Sequence, residues 1–140
     1  MTPELMFSLS GTVALVGWIS LAAGILLRNA LLRDTMAGLA IPLALSAAYA
    51  VLILVFWWTA EGGFDSLANV QKLFTSPWIA LAGWIHYLAF DLAIGALLAR
   101  KIMAAGLSRL FLIPILPLAF LFGPIGFLLG LAVLLSRKEA

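Results

Sequence analysis

Four long apolar stretches, none carrying a lysine or an arginine, constrain this chain more than any other feature. They run over residues 7–27, 36–58, 78–99 and 110–135. A helix of about 20 apolar residues crosses the hydrocarbon core of a bilayer, so each stretch is long enough to do so. A chain of 140 residues with 65% hydrophobic and 10% charged residues cannot hide that apolar surplus in one small core. The expectation is a single all-α domain over residues 1–140: a polytopic membrane protein, built as a four-transmembrane-helix bundle. The first stretch reads as an uncleaved span rather than a signal peptide, because Glu4 and no basic residue precedes it.

With no cysteine in the sequence, disulfides, thiolate nucleophiles and cysteine-held metals are excluded. A net charge of +2 is too small for a nucleic-acid binder, and the basic residues sit in short loops beside apolar spans. Four spans would place both termini on one side. Arg28, Arg33, Arg100, Lys101 and Arg109 would then face Lys72, Arg137 and Lys138 across the membrane. That excess predicts loops 28–35 and 100–109 on the cytoplasmic side.

The segment between the second and third stretches is different in kind. Gly62 and Gly63 permit a sharp change of direction. In "FDSLANVQKLF", Phe64, Leu67, Val70 and Phe74 share one side of a helix, and Asp65, Asn69 and Lys72 the other. This predicts a short amphipathic helix over residues 64–74, lying at the membrane interface between Trp57, Trp58 and Trp78. It either anchors the loop or covers an opening between helices. Ser76 and Pro77 are the expected N-cap and first turn of the third span.

The third stretch holds "GWIHYLAFDLAIG", with the only histidine, His86, and Asp91. Advancing roughly 100° per residue from Trp84, Leu81, Ile85, Leu88, Ala89 and Leu92 fall in one arc, expected to face lipid. His86, Phe90, Tyr87 and Asp91 fall in the other. His86 and Asp91 are roughly 140° apart and offset by about 7.5 Å along the axis, too far for a direct bond. They are expected to border one cavity, with Tyr87 and Phe90 between them. An ionised carboxylate near the midplane costs a few kcal/mol, so Asp91 is protonated, wetted, or paired with a loop arginine such as Arg28, Arg100 or Arg109. The competing reading is structural: each polar group can bond a neighbouring helix. One His and one Asp at this spacing make a poor ligand pair, so no metal is expected. In the fourth stretch, Pro114, Pro117, Pro124 and the segment "FGPIG" predict a bend near its middle, with Gly126 and Gly130 as a contact face and Phe120 and Phe122 lining space beside the third span.

Together "GGFDSLANVQKLFTSP", "GWIHYLAFDLAIG" and "LPLAFLFGPIGFLLG" resemble the ABA-deficient-four-like family, over most of the chain. Plant members are thylakoid-associated membrane proteins needed to make neoxanthin. Members tend to carry an aromatic residue and an arginine where this chain has Ala93 and Ala96. With no Ser- and Arg-rich transit segment, the chain resembles a bacterial member, in the inner membrane. The resemblance implies isomerisation of a carotenoid or related isoprenoid without a cofactor. His86 and Asp91 are then the catalytic base and acid, in either order, and Trp84, Tyr87, Phe90, Phe120 and Phe122 the substrate-binding residues. Expected partners are membrane lipid, the isoprenoid or carotenoid ligand and, in an oligomer, a second copy of the chain. Two other functions compete: a non-catalytic carotenoid or lipid binder, and a small proton-coupled transporter. The lack of any acidic residue in residues 7–27 counts against the transporter.

Overall fold

A computed structural model describes residues 1–136. All of its regular elements are helical. Helix α1 spans Pro3–Leu26, with Thr2 as N-cap, Pro3 in the first turn and Glu4 beside the free N–H groups. It ends where Arg28 takes a left-handed φ of 55°. The Asn29 side chain then accepts the Leu32 N–H at 3.2 Å and starts the next helix.

That helix opens as a π-helix, Leu31–Ala40, and continues as α2, Ile41–Phe56. The Ile41 N–H bonds Met36, five residues back. The return to α geometry comes at Pro42, which has no N–H and whose ring would crowd the carbonyl of Gly38 in an α turn; the wider turn relieves that contact. After α2 a single tight turn, Trp57–Thr59, leads into the loop.

In the loop, Gly62 has φ 104° and lies against the backbone of Asn69 and Leu73, so no side chain fits there. Helix α3 spans Leu67–Leu73, capped by Ser66. It is shorter than expected, and the expected apolar stripe is not what it buries. Leu73 is inside, whereas Phe64 and Leu67 are exposed, because the chain enters α3 from Gly63, whose N–H bonds the Asn69 carbonyl. Helix α4 spans Pro77–Ala104. Ser76 stands at its N-cap, but its side chain makes no capping bond.

Three helices are long and apolar enough to cross a membrane: Pro3–Leu26, Leu31–Thr59 and Pro77–Ala104. The expected fourth is not formed. Its residues divide into α5, Leu112–Leu121, and α6, Gly123–Ser136, of 10 and 14 residues, each shorter than a crossing requires. Phe122 leaves the helix at φ −144° and ψ 65°. A Cβ on Gly126 would lie 2.5 Å from the Ala119 Cα, although seven residues of unbroken helix hold two such positions about 10.5 Å apart. The chain therefore reverses at Phe122, and α5 and α6 form a helical hairpin.

The contacts give its direction. The Phe7 ring meets Trp84 at a tilt, Gly17 lies against Leu92 and Gly95 against Trp18, so α1 and α4 run parallel. Gly24 faces Arg33 and Gly17 faces Ile41, so α2 runs against them. Arg109 reaches the Ile25 carbonyl and Phe120 meets Trp18, so α5 also runs against α1. Gly123 meets Asp91 and Gly130 meets Leu98, so α6 returns alongside α4. The hairpin tip stands halfway along α4, and α6 ends on the side where α1 ends. The two ends of the described chain thus lie on opposite sides of the bundle, not on one. Arg137 and Lys138, assigned above to the far side, lie outside the described residues.

Helix α4 is the axis of the bundle. Leu81, Ile85, Leu88, Ala89 and Leu92, the arc expected to face lipid, are all buried against α1 and α2. Apolar side chains suit a packed helix face as well as they suit lipid. The outward apolar surface is carried by α1 and α2 instead, at residues such as Leu15, Ile19, Leu43, Val51 and Leu54.

Candidate functional site

Trp84, Tyr87 and Asp91 recur at i, i+3 and i+7, and so share one stripe of α4. The stripe looks toward the hairpin. The rings of Trp84 and Tyr87 stack at 5.4 Å. One turn further, Asp91 is 6% exposed and lies beneath the tip; a Cβ on Gly123 would fall on its carboxylate. Only glycine lets the tip settle there.

The helix break frees carbonyls at the end of α5, and in apolar surroundings these need partners. The Tyr87 hydroxyl supplies one, donating to the Leu121 carbonyl at 2.8 Å and to that of Phe120 at 3.3 Å. The Phe122 carbonyl accepts the N–H groups of Ile125 and Gly126. Asp91 is left over: its Oδ2 is the one buried side-chain oxygen without a hydrogen-bond partner among the described residues. The arginines expected to reach it are elsewhere. Arg109 is bound to the Ile25 carbonyl. Among the described residues no ion pair includes Asp91; the ion pairs are Arg33 with Asp34 and Lys72 with Glu61.

His86 is not part of this stripe. It is exposed, its ring 4.8 Å from Phe90 and 5.5 Å from Tyr49 of α2. His86 and Asp91, expected to wall one cavity, lie on different faces of α4: His86 is exposed beside Tyr49, and Asp91 is buried beneath the hairpin tip. The outward arc of α4 carries His86 and Phe90, and the inward face carries Tyr87 and Asp91. Phe120 joins the site through Trp18, edge to face at 5.4 Å. Phe122 is at the turn and exposed.

Above the tip the bundle opens. Because the hairpin reaches only halfway, α1 and α4 are uncovered over their first turns. A cleft of about 490 Å³ lies between them, lined by Glu4, Phe7, Ser8, Pro77, Leu81 and Trp84. Phe7 and Trp84 meet at 5.4 Å on its floor. An aromatic ladder thus runs from the cleft through Trp84 and Tyr87 to the tip and Asp91. Phe7 and Trp18 were not singled out from the sequence. Their signal was modest: aromatic residues on the same helix as Gly17 and Gly24, whose missing side chains bring α1 close to its neighbours.

A second polar cluster sits at the opposite end. Arg33 holds Asp34 through two bonds of 2.8 and 2.6 Å. With Gly38, Ala93, Ala96 and Arg100, Asp34 lines a cavity of about 50 Å³ beside the π-helix.

Compared with known proteins, residues 5–129 match the model of a family described as ABA DEFICIENT 4-like. The match takes in the three long helices, the hairpin tip and the aromatic ladder. No curated protein and no solved structure matches this chain.

Proposed function

This chain belongs to the ABA DEFICIENT 4-like family, and from that premise we propose that it is an integral membrane protein that binds a carotenoid or related isoprenoid above the hairpin tip. In this reading α1, α2 with its π-helical start, and α4 cross the bilayer. The hairpin enters from the side of loops 28–30 and 105–108 and turns back at mid-depth. Helix α3 lies at the opposite interface, with Phe64 and Leu67 toward lipid.

The observation that carries this reading is the half-depth hairpin. It leaves an aromatic ladder on α4 open to the membrane, and it places one carboxyl at the ladder's foot. Flat aromatic side chains in an apolar cleft suit a rigid polyene, and a single polar group fixes its end. Irregular backbone at mid-depth is tolerated where it is enclosed by protein or lines a cavity.

The same geometry favours binding over two-residue chemistry. A general acid and a general base must both reach the reacting atoms, and His86 faces away from Asp91. Where the ligand is isomerised, Asp91 is the group at its end that exchanges a proton. Product formation by purified protein and substrate alone tests that step.

Binding itself is read by quenching of tryptophan fluorescence as a carotenoid is added to protein in mild detergent. Trp84→Ala is expected to weaken binding about tenfold, equivalent to about 1.4 kcal/mol. His86→Ala is expected to leave it unchanged. Equal affinity of Trp84→Ala and wild type would place the ligand elsewhere.

A further inference from the structure

We propose that Asp91 and the turn between α5 and α6 form a binding site for a single sodium ion. Four observations meet there. Asp91 is 6% exposed, and its Oδ2 has no partner among the described residues. No cationic side chain among those residues pairs with it, so an ionised carboxylate at this depth lacks a counter-charge, which costs a few kcal/mol. The turn beside it is a helix break, and such breaks turn backbone carbonyls into ligands. Finally, the carbonyls of Phe120 and Leu121 converge on the Tyr87 hydroxyl, one turn of α4 from Asp91.

The donor set selects the ion. One carboxylate with neutral carbonyls and a hydroxyl carries a single negative charge, which one monovalent cation neutralises. A divalent ion would leave an excess charge in an apolar interior. Among the described residues no group of three or more His, Cys, Asp or Glu side chains exists to hold one. All the donors are hard oxygens, which suit an alkali ion. A proton competes for the same carboxylate, but it satisfies one oxygen, whereas a cation is shared with the Phe120 and Leu121 carbonyls through the second lone pair each keeps beside the Tyr87 hydroxyl. The titratable neighbours are Tyr87 and His86 on α4; α5, α6 and the facing turns of α1 carry none.

The site shares Asp91 with the isoprenoid reading and rests on its placement of the hairpin tip at mid-depth, but its test uses no isoprenoid, so the two readings fail separately. The full chain is purified in mild detergent, and its thermal unfolding is followed in sodium chloride and in choline chloride at equal ionic strength. Sodium is expected to raise the midpoint by several degrees, as binding to the folded state alone requires, and the gain is expected to shrink as the buffer is made acidic. Asp91→Asn is expected to abolish the gain, and Asp65→Asn, in the loop before α3, to keep it. Should Asp91→Asn not fold, equilibrium dialysis of the wild type against radioactive sodium decides, with one ion bound per chain expected. A gain retained by Asp91→Asn overturns the proposal. So does a midpoint that follows pH but never sodium, since a proton then neutralises the carboxylate, and so does dialysis that finds no bound ion.

Discussion

Replacing Gly126 by alanine separates a hairpin from a bent span. In an unbroken helix, even a kinked one, residues 119 and 126 stand about 10.5 Å apart along the axis. Alanine at 126 would then gain up to about 1 kcal/mol of helix propensity over glycine. In the hairpin the new Cβ would lie 2.5 Å from the Ala119 Cα and 2.7 Å from its Cβ, and against its backbone nitrogen. These atoms belong to α5 itself and cannot rotate aside as the end of a side chain can. The two helices must separate, and overpacking of this kind costs about 1–3 kcal/mol. Separation also disturbs neighbouring contacts, because Gly123 and Gly130 hold α6 on Asp91 and Leu98. A net loss of about 1–2 kcal/mol is expected once the propensity gain is offset. Gly11→Ala is the control, since a Cβ there meets nothing within 4 Å; it is expected to be neutral or slightly stabilising. Both variants are compared with wild type by reversible unfolding in mixed micelles. If Gly126→Ala proves as stable as Gly11→Ala, α5 and α6 do not fold back on each other and the hairpin is wrong.

Three further outcomes are expected. The chain has no cysteine, so Thr2→Cys and Ser136→Cys each introduce a single thiol; in sealed vesicles a membrane-impermeant reagent is expected to reach them from opposite sides, and labelling from one side refutes the three-crossing topology. Arg109→Ala removes the 2.9 Å bond to the Ile25 carbonyl that ties the base of the hairpin to α1; it is expected to cost about 1.5–3 kcal/mol and to speed amide exchange in α5, and unchanged exchange there counts against the tie. In the loop, the Lys72 ammonium hydrogen-bonds Glu61 at 2.9 Å and holds its carboxyl below the ordinary carboxylate range. Because the folded value is depressed, the pair's contribution is present at neutral pH and is lost as pH falls through that value. Lys72→Ala is expected to return Glu61 to the ordinary range in an NMR titration, and an unmoved titration shows that the pair is not formed in solution.

What could be read from the sequence was the set of properties that depend on residue type and local spacing. The three long helices, the break at "FGPIG", the turn at Gly62 and the placing of Tyr87 and Asp91 on one arc of α4 all belong there. What could not be read was direction. Hydropathy counts apolar residues, and residues 110–135 hold enough of them for a crossing whether the chain continues or reverses. The reversal rests on Gly126 against Ala119 and Gly123 against Asp91, and the second of these joins residues far apart in the chain. The wheel failed at Leu81, Ile85, Leu88, Ala89 and Leu92 for a related reason. It separates polar from apolar arcs, but lipid and a packed helix are equally apolar neighbours. The better signal was the small residues on the opposing helix, Ala14 and Gly17, which mark a surface built for close approach. His86 was grouped with Asp91 because both are polar, although the arc between them is wide enough to put one outside the bundle and one within. Among the described residues, Arg28, Arg33, Arg100, Lys101 and Arg109 stand at one end of the bundle and Lys72 alone at the other. That bias is the same whether the chain runs through three times or four, so the reversal leaves the expected cytoplasmic face of loops 28–35 and 100–109 where the charges alone put it.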